Sequence, residues 1–102
     1  MDVSRKRLSV YKYNLNQLEL IANILFTNRC NLLDLLNEHK VSINQSCGGH
    51  GICTTCRIII HNGVTHERSD MERERASERR FLTSERLACQ LEIFDNIEII
   101  IL

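Results

Sequence analysis

Twelve consecutive residues constrain this chain more than any other stretch: Ser46-Cys-Gly-Gly-His-Gly-Ile-Cys-Thr-Thr-Cys-Arg57. Cys47, Cys53 and Cys56 fall there in C-x5-C-x2-C spacing. Three of the four glycines of the protein, Gly48, Gly49 and Gly51, lie among them. A distant cysteine, Cys89, sits in Glu85-Arg-Leu-Ala-Cys-Gln90. The function of the chain turns on what four such thiols would hold.

Disulfides and metal are the two broad choices for a cysteine-rich chain. The cysteine count is five, which is odd, and three thiols crowd among glycines. No apolar stretch of secretory-signal length follows the basic cluster Arg5-Lys6-Arg7. These features favour metal in a reducing compartment, and the expected location is cytoplasmic. Thirteen basic residues balance thirteen acidic ones, so no global field argues for nucleic acid or an anionic membrane. The longest apolar run, residues 99–102, is far too short to span a bilayer. At 102 residues the chain reads as one soluble domain over 1–102, and as a monomer. The basic cluster reads as a solvated terminus.

Alternation over residues 8–13 predicts a first strand, and residues 14–17 a turn. Residues 18–26 read as a second strand; a helix over 15–26 is the rival, because Leu15, Leu18, Ile21, Ala22 and Leu25 also fit a 3.6 period. Asn31 is a suitable N-cap for a helix in which Leu32, Leu33, Leu35 and Leu36 share helical spacing to about His39, with His39 and Lys40 in its last turn. An extended segment over 41–44 leads into the cysteine loop. Residues 57–61 predict a strand, and Asn62-Gly63 a type I′ hairpin whose return strand starts at 64–66, leaving His61 and His66 exposed. Residues 67–86 hold six acids and six arginines. Ser69 and Glu72 form a capping-box pattern for a solvated helix from about Asp70, on which Glu72–Arg75 and Arg75–Glu78 would attract. Residues 87–93 alternate as a strand carrying Cys89, residues 95–96 mark a turn, and residues 97–102 predict a buried central strand. Strands with two interspersed helices and two hairpins make an α+β fold with a mixed sheet.

A two-iron cluster takes four cysteine thiolates. A loop wrapping it must turn sharply and point N–H groups at sulfur, which glycine permits. Cys47-Gly-Gly-His-Gly-Ile-Cys53-Thr-Thr-Cys56, with Cys89 after Arg-Leu-Ala and before Gln, resembles the [2Fe–2S] ferredoxins. The resemblance runs from Leu32 to the last strand. It implies a β-grasp (ubiquitin-like) fold with one main helix, a short second helix, and the cluster loop between helix 1 and strand 3. It implies that Cys47 and Cys53 ligate one iron and Cys56 and Cys89 the other. Five residues between the first two ligands is similar to the vertebrate-type and cluster-assembly ferredoxins, whereas the 32 residues between Cys56 and Cys89 are more similar to the ferredoxin domains of sodium-translocating NADH:quinone reductases. The acidic interaction helix of adrenodoxin-like members has no counterpart, since residues 70–80 are charge-balanced.

Zinc is the chemical rival, but only Cys53–Cys56 forms a C-x2-C knuckle. A Rieske centre would need a second Cys/His pair beside Cys47-x2-His50. His50 therefore reads as a solvent-facing residue, and Cys30 as a small buried apolar one. No nucleophile triad, phosphate loop or dinucleotide fingerprint is present. The resemblance implies a non-enzymatic carrier that takes single electrons from a ferredoxin reductase and gives them to an acceptor protein. The alternative is an iron–sulfur module that senses redox state or staples the fold.

Overall fold

The computed structural model describes residues 5–41 and 57–101. Cys47, His50, Cys53 and Cys56, and the extended segment expected beyond Val41, lie outside the described residues. The chain opens with an antiparallel hairpin of β1 (Lys6–Asn14) and β2 (Gln17–Phe26), so β2 is a strand and not the rival helix. Leu15 and Asn16 both take positive φ, 51° and 68°, in the two-residue connection. That backbone twist matches the twist of the flanking strands. Asparagine tolerates it, whereas Leu15 is simply left 91% exposed.

A two-residue strand β3 (Cys30–Asn31) leads directly into α1 (Leu32–Glu38). β4 (Arg57–Gly63), α2 (Asp70–Arg79) and β5 (Glu85–Leu87) follow. A single 3-10 turn at Ala88–Gln90, then β6 (Glu92–Ile93) and β7 (Ile97–Ile101), complete the chain. The main sheet has the order β2-β1-β7-β4-β5, and β3 pairs with β6 as a separate ribbon. β1 and β7 run parallel at its centre; the other pairs are antiparallel. The final strand is central because Ile97, Ile99 and Ile101 share the core with Leu8 and Val10 of β1 and Ile58 of β4. Leu32, Leu33, Leu35 and Leu36 of α1 all join that core. Each such side chain contributes roughly 1.5–3 kcal/mol on burial, which holds a seven-residue helix too short to persist alone.

Several local expectations fail, the first because β7 already pairs with that edge of β4. Asn62-Gly63 does not close a hairpin. β4 runs on through both residues, pairing Asn62 with Glu98 and Gly63 with Ile97. Gly63 takes φ +118°, and a Cβ there would meet Asn96 O at 2.9 Å, so glycine serves close approach rather than a I′ turn. Residues 64–69 leave the sheet without forming a return strand. The strand expected over 87–93 breaks into β5, the 3-10 turn and β6. The fold therefore has one hairpin, β1–β2, among the described residues. His39 is the C-cap of α1 and not part of its last turn, and Lys40 is left-handed at φ 57°. α2, the short second helix of the expectation, is the longer of the two at ten residues. Residues 5–7 are not a loose terminus: Lys6 starts β1 and pairs with Asp95 at 3.6 Å.

Candidate metal centre

Of the four expected ligands, Cys89 is the one within the described residues, on the 3-10 turn that interrupts the strand pattern. Leu87 and Ala88 before it are fully buried, whereas Cys89 is half-buried. The turn thus lifts one thiol from the core edge while its neighbours stay anchored. Across the sheet, Leu87 is the register partner of Arg57. Arg57 directly follows Cys56 in the sequence, and its register partner stands two residues before Cys89. Among the described residues no three potential metal ligands converge. The donor chemistry that is described, a half-buried thiol approached by an amide and framed by buried apolar residues, fits a soft-metal cluster.

Two elements hold the turn. From the α1 side, Asn31 caps the helix by accepting from Asp34 N at 3.1 Å. Its Nδ2 donates to Cys89 O at 2.9 Å, and Leu32 N donates to Leu91 O at 2.8 Å. One asparagine thereby fixes the helix start and the Cys89 backbone together. Gln90 Nε2 points at Cys89 Sγ from 3.7 Å. An amide at that position favours negative charge on sulfur.

From the α2 side, a buried ion pair fixes the strand that leads to Cys89. Ser69 caps α2 by accepting from Glu72 N at 3.2 Å. Glu72 does not reach back to complete the capping box, nor does it pair with Arg75. Its carboxylate is buried and takes Arg86 in a two-point grip, Nε to Oε2 at 2.7 Å and Nη2 to Oε1 at 2.9 Å. Oε2 also accepts from Leu87 N at 3.0 Å. Arg86 Nη1 donates to Thr65 Oγ1 at 3.0 Å and His66 O at 2.7 Å. His66 is half-buried rather than exposed: Nε2 accepts from Glu92 N at 3.0 Å, so the ring proton sits on Nδ1, which donates to Glu67 O. Arg68 Nη2 donates to Leu82 O at 2.8 Å and Glu85 O at 2.7 Å, closing the frame. Sequence reading found Asn31 and Ser69 as caps but missed Glu72, Arg86, His66 and Arg68 as a network. One signal was available: Ala76, an apolar residue in a charged helix, stands four positions after Glu72 and so on the same face.

Cys30 does not join Cys89 in a site. It pairs with Ile93 in β3 and packs half-buried against the core. Burial first, and then the carboxylates of Glu38, Asp34 and Glu92, push its thiol pKa up. His61 is exposed, with its ring 5.5 Å from that of Tyr11, remote from the turn. No helix among the described residues is long and apolar enough to cross a membrane.

Comparison with known proteins agrees with this geometry. Residues 24–93 match the 2Fe-2S iron-sulfur cluster binding domain. The F component of the Na(+)-translocating NADH-quinone reductase of Yersinia enterocolitica is 34% identical over 72 residues, covering 67% of this chain and 16% of that polypeptide. Its Serratia proteamaculans counterpart is 32% identical over the same length. The chain thus spans about a sixth of the curated relatives it matches. Among solved structures, the ISC-like [2Fe-2S] ferredoxin of Pseudomonas putida superposes with a TM-score of 0.78 at 20% identity, covering 95% of this chain and 92% of that one. A ferredoxin reductase in carbazole 1,9a-dioxygenase gives a TM-score of 0.66 at 17% identity, over 97% of this chain but 28% of that one.

Proposed function

The chain belongs to the 2Fe-2S iron-sulfur cluster binding domain family, and we propose that it works as a single-domain, monomeric carrier of single electrons between protein partners. The fold is the β-grasp of the [2Fe–2S] ferredoxins. Cys47 and Cys53 ligate one iron and Cys56 and Cys89 the other. When bound, the cluster supplies a reversible one-electron couple. The chain supplies the frame. Asn31 and the Glu72–Arg86 pair hold the Cys89 turn from two sides, and Gln90 tempers charge on its sulfur. The observation that supports this reading is the register pair Arg57–Leu87, which sets Arg57, the residue after Cys56 in the sequence, beside the strand that leads to Cys89. Its partners are a ferredoxin reductase as donor and an acceptor protein, in the cytoplasm. Thiolate ligation suits that reducing compartment.

The test is anaerobic reconstitution with iron and sulfide, followed by visible absorption, EPR after dithionite, and electrochemistry. A red-brown protein with one rhombic signal that cycles reversibly is expected. Cys89→Ser should lose or badly destabilise the cluster. A colourless protein with stoichiometric zinc, or a Cys89→Ser spectrum identical to wild type, would overturn the assignment. A cluster lost on each redox cycle would mark a sensor instead.

A further inference from the structure

Resting on the electron-carrier reading, we propose that the C-terminal end of α2, with Arg57, is a cationic contact surface for a redox protein that presents an acidic face. The charges of α2 balance in number but not in place. Toward its N-terminus, Arg73 is flanked by Glu67 at 3.5 Å and Asp70 at 3.3 Å. In its middle, Arg75 is held between Glu74 and Glu78. Glu72 is consumed by Arg86. The side chains of Arg79 and Arg80 are exposed and have no ion pair or hydrogen bond among the described residues, although the Arg80 backbone N–H donates to Ala76 O. The helix therefore ends in two uncompensated positive charges.

A short chain of contacts joins that end to Arg57 and the strand that leads to Cys89. Arg80 precedes Phe81, and the Arg57 guanidinium stacks on the Phe81 ring at 5.3 Å. Arg57 follows Cys56 and faces Leu87, two residues before Cys89. Arg57 is 39% exposed, and its one counter-charge among the described residues, Glu85, is turned inward at 12%. The backbone adds an independent observation. Arg80 caps the helix in the left-handed conformation, φ 54° and ψ 52°, a position that glycine fills without strain. The Arg80 side chain has no partner among the described residues, and an acidic protein would supply one. Its rival role, complementing the helix dipole, needs no second arginine.

The experiment uses the reconstituted, reduced protein and two oxidants, an acidic blue-copper protein and a basic c-type cytochrome. In each reaction one electron leaves the reduced cluster and reduces one copper(II) or iron(III), and no proton moves. Arg79→Glu with Arg80→Glu changes the local charge by four units. At low salt, where the screening length reaches about 30 Å, the ratio of the acidic-probe rate to the basic-probe rate should fall by at least about tenfold. High salt should erase the difference. Arg5→Glu with Arg7→Glu makes the same change in net charge on exposed residues beside Asn96, at the opposite end of β4, and should move the ratio by less than about threefold. The dissociation constant of the fully oxidised pair, in which no electron moves, should rise in parallel with the loss of rate. Arg80→Gly should raise the melting temperature yet slow the acidic probe.

An unchanged ratio in the α2 double variant, or an equal change in both double variants, overturns the surface. So does an Arg80→Gly protein that keeps the wild-type rate. Failure to pass an electron to either probe overturns the carrier reading, and the surface with it.

Discussion

Glu72→Gln is the substitution that asks most of this structure. It is close to isosteric and keeps an oxygen near Arg86 and Leu87 N, but it deletes the one negative charge that grips Arg86 among the described residues. The side chains of Glu72 and Arg86 are 0% and 5% exposed, so solvent cannot replace what is lost. Breaking a buried pair from one side costs about 3–5 kcal/mol, because the surviving charge is stranded. Arg86 retains Thr65 Oγ1 and His66 O, which places the expected loss near the lower limit, about 3 kcal/mol. A domain of this size has about 5–15 kcal/mol in total, and each kcal/mol shifts the melting temperature by roughly 4–8 °C. Melting should therefore fall by roughly 12–24 °C. Visible absorption should bleach at the same lowered temperature as circular dichroism changes, because the strand that loosens leads into Cys89. The paired substitution Glu72→Met with Arg86→Leu removes both charges and should lose less than Glu72→Gln alone, though it leaves Leu87 N unpaired. A Glu72→Gln protein that melts within about 5 °C of wild type would refute the reasoning, since that is the effect of roughly 1 kcal/mol. So would a double variant less stable than the single one.

Three further outcomes follow from other sites. Gly63→Ala should cost at least about 1–3 kcal/mol from the positive φ alone, with an added clash against Asn96 O and Ile97, read by thermal melting. Cys30→Ser should leave the reconstituted spectrum unchanged, and wild-type Cys30 should alkylate slowly at neutral pH in a mass-spectrometric time course, because burial and the three carboxylates keep it a thiol. Tyr11 should ionise above the ordinary tyrosine value, through burial first and then Glu98, whose Oε2 accepts from its hydroxyl at 3.2 Å. A folded-state value above the unfolded one means stability lost as pH rises beyond about 10, and Glu98→Gln should make that loss smaller and move the tyrosinate absorbance to lower pH.

The sheet was legible in the sequence wherever one side of the pattern settled the matter. Leu8, Val10 and the run Ile97–Ile101 had only one way to be buried, and Leu32, Leu33, Leu35 and Leu36 carried an unambiguous helical period beginning at a capping asparagine. Cys89 stood out by its residue neighbours. Its local structure did not, because residues 87–93 alternate as any strand would. Only the docking of α1, through Asn31 to Cys89 O and Leu32 N to Leu91 O, breaks that strand into a turn. Asn62-Gly63 misled in the same manner. The dipeptide suits a I′ turn, but β7 had already claimed its edge of β4. The Glu72–Arg86 pair was hidden among six acids and six arginines, since periodicity counts charge as surface and cannot choose which one turns inward.

The segment Arg86-Leu-Ala-Cys89 compresses the requirements of stability and of electron transfer into four residues. An electron leaves a metal centre quickly only if its ligands barely move when the charge changes, so a ligand must be held by something stiffer than its own loop. Here the stiffness comes from contacts that would be poor bargains on stability grounds alone. A hydrophobic pair in place of Glu72 and Arg86 would do as well or better in the core. It could not also accept from Leu87 N, hold His66 O and Thr65 Oγ1, and thereby tie the helix, the 65–66 segment and the Cys89 strand into one body. The buried charges make sense as a registry device: they allow one arrangement of α2 against β5, and that arrangement sets Arg57, Phe81 and the Cys89 turn in a single neighbourhood. If that is their role, Glu72→Gln in protein still folded at low temperature should broaden the EPR signal and shift the potential, whereas a purely stabilising pair would leave both as they are.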